Sequence, residues 1–483
     1  MPDFRPVLFT AGILLIALSA AMLLPAAVDA LRGDPDWQAF VWSAGITGAI
    51  GGALMLGYRQ PETSLMSARE GFVLTVLAWL ALCTASTLPF MLSKLSLSFT
   101  DAFFEAMSGL TTTGSTVVVG LDELSSGILL WRAMLHWIGG IGIIVMAVAI
   151  LPILRVGGMQ LFRMESSEKA EKVRPRVTQI SSLLASVYVS LTALCAVALV
   201  LAGMGPFDAV CHAMSTIATG GFSNYDASIG HFDSRAIEWI IIVFMLIGGT
   251  TFVLLARAAQ GDARALFRDE QIRWYIIYIG IFITALSLWQ ILVNDEPIRE
   301  AVRSSAFNVV SLATTTGFAS EDYQLWGSFA VGAVMALLFI GGCTGSTSGG
   351  IKVFRFCVLG SVAHRQILHL IHPHRTLPPT YNRKPIADEV VRSVLSFFAF
   401  YIGAYAVLSV ALTALGLDLV TSLSGAAQAL GNVGPGLGPI IGPAGNYVPL
   451  PDAAKWLLSF AMLLGRLELL TVVVLFSATF WRG

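Results

Sequence analysis

Long apolar runs recur along the chain, and between successive pairs of them lie shorter apolar segments that end in small polar residues. The runs at 6–29, 38–58, 71–93, 127–152, 179–203, 236–258, 274–294, 327–358, 391–416 and 453–481 each reach the roughly 20 residues that a helix needs to cross about 30 Å of hydrocarbon. The shorter segments at 99–119, 206–224, 301–320 and 420–440 offer only about 10 to 12 helical positions before the polar stretch, too few to cross, so they predict re-entrant elements. The order is two helices followed by four units of helix, short segment and helix. The expected fold is an all-α polytopic membrane protein: four pseudo-repeated helix, pore loop, helix units around a central pore, plus two extra N-terminal transmembrane helices. We divide it into the N-terminal pair (1–66) and repeats 1 to 4 (67–155, 156–262, 263–372 and 373–483).

The short segments share a register. Their polar ends read Leu110-Thr111-Thr112-Thr113-Gly114-Ser115-Thr116, Ile217-Ala218-Thr219-Gly220-Gly221-Phe222, Ala313-Thr314-Thr315-Thr316-Gly317-Phe318 and Gly431-Asn432-Val433-Gly434-Pro435-Gly436. Ser108, Ser215, Ser311 and Gln428 each lie six positions before the glycines Gly114, Gly221, Gly317 and Gly434, and Asp101 and Asp208 lie 13 before the first two. A single such stretch reads as a small-residue packing face between helices. Four in one register predict a fourfold repeat whose loops converge.

Irregular backbone at membrane depth survives only where protein buries it or it lines a water-filled cavity. Glycine admits positive φ, which turns carbonyl oxygens inward, and threonine hydroxyls keep the loop narrow and polar. Each short helix aims the partly negative end of its dipole at the centre. The expected object is a ring that replaces the hydration shell of a monovalent cation. Its residues are Thr111, Thr112, Thr113 and Gly114; Ala218, Thr219, Gly220 and Gly221; Thr315, Thr316 and Gly317; and Asn432, Val433 and Gly434.

Composition agrees with a membrane protein: 56% of the 483 residues are hydrophobic, 12% are charged, and the mean hydropathy is +0.76, which excludes a soluble fold of this length. The net charge of −1 carries no information, but the distribution of charge does. The loops between repeats carry Arg155, Arg163, Lys169, Lys172, Arg174 and Arg176, then Arg257, Arg264, Arg268 and Arg273, then Lys352, Arg355, Arg365, Arg375, Arg383, Lys384 and Arg392. The positive-inside rule puts these loops and both termini in the cytoplasm. The other face carries Asp29, Asp34, Asp36, Asp122, Glu123, Asp226, Asp233, Asp295, Glu296, Glu321, Asp322, Asp418 and Asp452, so the short segments enter from outside under an acidic rim. Cys83, Cys195, Cys211, Cys343 and Cys357 form no close ligand pair and predict free thiols. The first apolar run has no clear cleavage site and reads as a retained helix.

Each second helix contains a small-residue pair: Gly139-Gly140, Gly248-Gly249, Gly341-Gly342 and, in repeat 4, Gly465-Arg466. An arginine at mid-membrane is a functional candidate by default. Facing a cavity, Arg466 would oppose cation passage; the competing reading is a structural pair with Glu468 or another acid. Glu468 is an awkward partner, because residues two apart on a helix point in different directions. In repeat 3, Gly341-Gly342-Cys343-Thr344-Gly345-Ser346-Thr347-Ser348-Gly349-Gly350 interrupts a span, and a continuous helix is not expected there. The break reads as a mobile segment or a static kink; a phosphate cradle lacks its GxxxxGK[ST] order. His136, His212 and Glu105 suggest proton coupling or, more simply, satisfied buried polar groups. His364, His369, His372 and His374 read as a solvated loop rather than a metal site. No HExxH, GxSxG or paired-Asp arrangement supports an intramembrane enzyme.

These motifs, TTTGST at 111–116, ATGGFSNY at 218–225, TTTGFA at 314–319 and GNVGPGLG at 431–438, resemble the Trk/Ktr/HKT superfamily of potassium transporters and within it the TrkH branch, which carries the two extra N-terminal helices. The resemblance covers nearly the whole chain. It implies that Gly114, Gly221, Gly317 and Gly434 mark potassium selectivity, since members with serine in the first repeat tend toward sodium. It implies that the glycine-rich stretch, with Gly345, Ser346, Thr347, Gly349 and Gly350, is an intramembrane gate loop, and that an arginine belongs at the position of Arg466. It further implies a homodimer in the bacterial inner membrane and a cytosolic TrkA-type regulatory subunit that binds NAD(H) or ATP/ADP. The expected function is gated, potassium-selective translocation, with potassium as the bound ion, lipid as the surroundings and no nucleic acid. Proton- or sodium-coupled symport, or a sodium-permeable relative, are the alternatives.

Overall fold

The computed structural model describes residues 3–59, 67–149, 173–374 and 378–482. The charges Arg155, Arg163, Lys169, Lys172 and Arg375 lie outside these residues. The N-terminal pair, Phe4–Arg32 and Trp37–Gly57, is a helical hairpin turned at Gly33, whose φ is 75°. Its helices approach closely because a Cβ on Gly12 would come within 2.7 Å of the Gly51 carbonyl oxygen and one on Gly51 within 2.8 Å of Gly12, the small-residue packing that replaces hydrophobic drive in lipid.

Repeat 1 comprises Ala68–Ser86 with its continuation Leu88–Leu92, the short helix Phe99–Leu110 and the second helix Ser126–Ala149. Repeat 2 comprises Val173–Leu201, the short helix Pro206–Ile217, and Arg235–Gly248 with Phe252–Ala259. Repeat 3 comprises Glu270–Val293, the short helix Ile298–Ala313, and Ser328–Leu337 with Val353–Ile371. Repeat 4 comprises Asp388–Ala414, the short helix Leu419–Gly431, and Asp452–Arg466 with Leu470–Val473.

Local chemistry starts these helices where they start. Ser67 and Glu70 form a reciprocal capping box. Ser98, Asp269 and Asp418 accept the first free N–H groups of their helices, and Pro206 opens another. The four short helices have 12, 12, 16 and 13 residues, about 18 to 24 Å at 1.5 Å per residue, so they stop inside the span. Seven helices among the described residues are long and apolar enough to cross a membrane.

Two expectations need correction. The spans 236–258 and 453–481 are not continuous: Arg235–Gly248 turns by 103° into Phe252–Ala259, and Asp452–Arg466 turns by 106° into Leu470–Phe476. Repeat 3 is therefore not alone in having an interrupted second helix. Asp29, expected on the acidic rim, is buried. Its Oδ1 accepts the Gly127 N–H at 2.5 Å, a carboxylate at the positive end of Ser126–Ala149, while Arg32 donates to Ser126 Oγ at 2.5 Å. Together they moor the N-terminal pair to repeat 1.

Candidate ion pathway

All four short helices end in the same way. The N–H groups of Thr113, Gly220, Thr316 and Val433 return to the carbonyls of Ser108, Ser215, Ser311 and Gln428 at 2.9, 2.9, 2.8 and 3.0 Å. Those of Thr112, Thr219, Thr315 and Asn432 return to Gly109, Thr216, Leu312 and Ala429 at 3.1, 3.1, 3.0 and 3.4 Å. This is the Schellman pattern, and it explains the six-residue register. The motif requires a left-handed residue, with φ of 51°, 51°, 58° and 52° at Thr112, Thr219, Thr315 and Asn432. Glycine or asparagine normally takes that place, and a β-branched threonine there is strained. Three such threonines in equivalent positions are local strain concentrated at one place, the mark of a functional segment.

Two residues further on, Gly114, Gly221, Gly317 and Gly434 have φ of 90°, 84°, 82° and 99°. The intervening Thr113, Gly220, Thr316 and Val433 are not left-handed, so the hand alternates and successive carbonyls no longer alternate as they do in a strand. The glycines also interlock. A Cβ on Gly114 would overlap the Gly220 carbonyl oxygen, one on Gly221 that of Thr316, and one on Gly317 that of Val433. One on Gly434 would lie 2.7 Å from the Thr113 oxygen. The contacts run from repeat 1 to 2, 2 to 3, 3 to 4 and back to 1, which closes a ring. Thr111, Ala218 and the threonines of the ring are buried, whereas Gly114, Gly221 and Gly317 are partly exposed to a vestibule of about 270 Å³. Asp226 and Tyr225 line that vestibule. Burial, and then the hydrogen bond to Asp208, push the Tyr225 phenol up to about 12.

Side chains behind the ring repeat as well. Nine positions before the glycines stand Glu105, His212, Asn308 and Gly425. Glu105 accepts from Thr116 at 3.0 Å and from the Val117 N–H at 2.9 Å; His212 Nε2 pairs with Ser223 Oγ at 3.0 Å; Asn308 donates to Ser320 Oγ at 2.9 Å. Each holds the chain just after its glycine. In repeat 4 Ser424 takes over, bonded to Leu437 N and O at 2.9 and 3.0 Å. Glu105 and His212 are thus buried groups with partners, as is His136, which bonds Gly109 O at 2.8 Å and the Phe222 N–H at 3.1 Å. Sequence reasoning missed Asn308, although the register alone identifies it. Arg132, the buried partner of Glu105 at 2.8 Å, lies 27 positions away and gave no local signal.

On the side of the ring away from the vestibule, residues 338–352 fold back on themselves. Gly341 N–H donates to Ile351 O, and Ile351 N–H to Phe339 O, both at 3.0 Å, closing the base of a loop. Gly345 and Gly350 take φ of 77° and 66°. The loop touches three repeats from beneath. Thr347 Oγ1 donates to the carbonyls of Ile217 and Gly248 at 3.0 and 3.1 Å, Gly349 N–H donates to Thr315 Oγ1 at 2.6 Å, and a Cβ on Gly349 would overlap the Gly431 oxygen. Ser346 Oγ braces the loop internally on Cys343 O at 2.6 Å.

Arg466 is buried directly below, and its Nη1 donates to Thr347 O at 2.7 Å while Nε and Nη2 have no hydrogen-bond partner among the described residues. Glu468 does not pair with it. Glu468 instead binds Arg355, whose guanidinium stacks on Phe397 with 3.6 Å to the ring centroid. Lys352 donates to Ser348 O. Lys352 and Arg355 are buried, which corrects their expected place among the charges of the basic loops between repeats. A buried cation needs such partners, because desolvation otherwise outweighs its gain.

Comparison with known proteins gives the same outline. Residues 38–482 match the TrkH family, described as cation transport protein. The chain is 45% identical over 481 residues to the Trk system potassium uptake protein TrkI of Halomonas elongata, covering 99% of this chain and 97% of that protein. It is 41% identical over 485 residues to the Trk system potassium uptake protein TrkH of Escherichia coli, covering 99% of each. The crystal structure of the potassium transporter TrkH from Vibrio parahaemolyticus superposes with a TM-score of 0.92 at 38% identity, covering 99% of this chain and 100% of that one. A closed fourfold backbone ring inside a polytopic helical protein, matched over its whole length by transport proteins rather than enzymes, identifies this chain as a member of the TrkH family of cation transport proteins.

Proposed function

We propose that this chain is a gated, potassium-selective pathway across the bacterial inner membrane, with the ring as its filter. The observation that carries the reading is the cyclic interlock of Gly114, Gly221, Gly317 and Gly434 with the carbonyl oxygens of Thr113, Gly220, Thr316 and Val433. Carbonyl oxygens held in a closed ring suit a dehydrated monovalent cation, and no charged side chain is required. The names of the relatives, potassium uptake proteins, support potassium as the cargo rather than as a resident cofactor. The basic loops support an orientation with both termini in the cytoplasm and the vestibule outside.

The loop at 338–352, with Gly345, Ser346, Thr347, Gly349 and Gly350, is the gate in this reading. It sits under the ring in hydrogen-bonding contact with repeats 2, 3 and 4 through Ile217, Thr315 and Arg466. Ions would enter from the vestibule, shed water at the ring and pass once the loop withdraws from Arg466. Control from a TrkA-type cytosolic subunit and assembly as a homodimer complete the proposal, and rest on the family alone. The test is rubidium against sodium counterflow in potassium-loaded liposomes for the wild type and Gly114→Ser. Wild-type protein is expected to pass rubidium well above sodium, and Gly114→Ser to narrow the gap. Equal wild-type fluxes would overturn the reading.

A further inference from the structure

The ring has four seams between neighbouring repeats, and one is held differently from the rest. On the second helix of repeat 1, Arg132 and His136 lie one turn apart and so share a face. Arg132 donates from Nε to Glu105 Oε1 at 2.8 Å, from Nη1 to Ser223 O at 2.8 Å and from Nη2 to Thr116 Oγ1 at 3.1 Å. Its guanidinium lies over the Phe222 ring at 4.1 Å. His136 Nε2 accepts the Phe222 N–H at 3.1 Å, which leaves Nδ1 as the donor to Gly109 O at 2.8 Å and the imidazole neutral. The His136 ring stacks on Phe222 at 4.2 Å and fills the space a Cβ on Gly220 would need. Two side chains of repeat 1 therefore hold the residues on both sides of Gly221 against the short helix of repeat 1 and the segment that follows Gly114.

No other repeat has this device among the described residues. With the second helices aligned on Gly139, Gly248, Gly341 and Gly465, the Arg132 position is Ile241, Val334 and Leu458, and the His136 position is Met245, Leu338 and Met462. All six are buried and apolar. Ion pairs cross two other seams nearer the outer ends of the helices, Arg303 with Glu238 and Lys455 with Asp101, both at 2.6 Å, but at the remaining seams the residues that follow the ring glycines are held by uncharged bonds, such as Ile229 N–H to Ala319 O at 3.1 Å, Gly438 N–H to Gln324 Oε1 at 2.6 Å and Ser115 Oγ to Gly434 O at 2.9 Å. A fully bonded guanidinium on an aromatic face is stiffer than these. Where carbonyl geometry discriminates ions, the stiffest seam limits how far the ring can contract around a smaller cation.

We propose that Arg132 and His136 are selectivity-determining positioning residues that fix the seam between repeats 1 and 2; the claim rests on the filter reading above. They touch no ion and act through Gly220, Phe222 and Ser223. The test measures rubidium and sodium counterflow for three variants: the neutral pair Arg132→Gln/Glu105→Gln, which strands no buried charge, Arg132→Lys, and His136→Met, which borrows the residue of repeats 2 and 4. Rubidium still passes, and its preference over sodium falls by about tenfold, some 1.4 kcal/mol of discrimination, in the neutral pair and in His136→Met. Arg132→Lys, with its charge kept but its fork lost, falls between. Met245→Leu, at the matching place in repeat 2, keeps the wild-type preference. His136→Met alters no charge, so it decides the matter if the ion-pair variants do not fold. A preference within about twofold of wild type, under 0.5 kcal/mol, in every folded clamp variant would overturn the proposal. Gly114→Ser separates the two claims: if it lowers the preference and the clamp variants do not, only the clamp falls. If Gly114→Ser leaves the preference unchanged, the filter reading falls.

Discussion

The second helices of repeats 1 and 3 occupy matching places and end as opposites. Ser126–Ala149 runs without a break; Gly139 packs so tightly under the short helix that a Cβ would overlap Leu110 O. Arg132 and His136 above it grip the next repeat. In repeat 3 the helix stops at Leu337 and resumes at Val353. There Gly341 packs not on the short helix but on its own loop at Gly349, and Tyr278 OH takes over Ala313 O at 3.2 Å. One sequence position thus stiffens the ring in one repeat and, in the other, frees a segment to lie beneath it. The residues C-terminal to the glycine pair differ accordingly: residues 141–146 hold one glycine among large apolar side chains, whereas residues 343–350 hold three glycines among serine and threonine, which favour turns over helix.

Substitutions can break this contrast, and the largest effect is expected in the ring. Gly221→Ala puts a Cβ onto Thr316 O at a φ of 84°, the clash that Gly114→Ser makes with Gly220 O, and rubidium flux in liposomes should fall steeply together with its preference over sodium although the purified protein remains monodisperse. Near-normal flux would mean that the interlock tolerates what its geometry forbids. Next in size is the anchor of the helix that follows the repeat 3 loop. Arg355→Gln leaves Glu468 buried without its ion-pair partner and should cost about 3–5 kcal/mol of stability, seen as a lower unfolding midpoint in detergent. An unchanged midpoint would show that solvent reaches Glu468.

Arg466→Ala removes both a positive charge and the bond to Thr347 O; we expect rubidium flux to rise by about tenfold, the worth of one charge-assisted hydrogen bond. Unchanged flux in well-folded protein would return Arg466 to a structural role. The smallest effect is Thr347→Val, which deletes the bonds to Ile217 O and Gly248 O and should raise flux roughly two- to fivefold, in line with about 0.5–1 kcal/mol net of loop anchoring. A fall in flux would mean that the loop helps ions through instead of barring them.

Much of the ring was legible because it is written four times. The carbonyls of Ser108, Ser215, Ser311 and Gln428 accept the helix-cap hydrogen bond from the residue just before each glycine, so the six-residue register mapped directly onto geometry. Glu468 does not pair with Arg466, as expected, but not for the expected reason: the helix ends at Arg466 and Glu468 lies in the turn beyond it. The hidden features depend on pairing across the fold. Lys352 and Arg355 read as charges of a basic loop between repeats because their partners, Ser348 O and Glu468, meet them only after the loop folds back. Arg132 and Glu105 are 27 residues apart and Asp29 and Gly127 are 98 apart, with no local pattern to join them. The bend in repeat 4 was invisible for another reason: it occurs at Glu468 and Leu469, with φ of 63° and 31°, where the residue types favour a continuous helix. Tertiary contacts, including the Arg355 pair on Glu468, hold that strained turn open.

Four loops that make one cation site should order a single ion between them. An anomalous difference map from crystals of the protein grown in rubidium tests it most directly. A peak is expected on the ring axis, coordinated by the carbonyl oxygens of Thr113, Gly220, Thr316 and Val433. Rubidium ordered elsewhere in the protein, with no peak inside that ring, would contradict it.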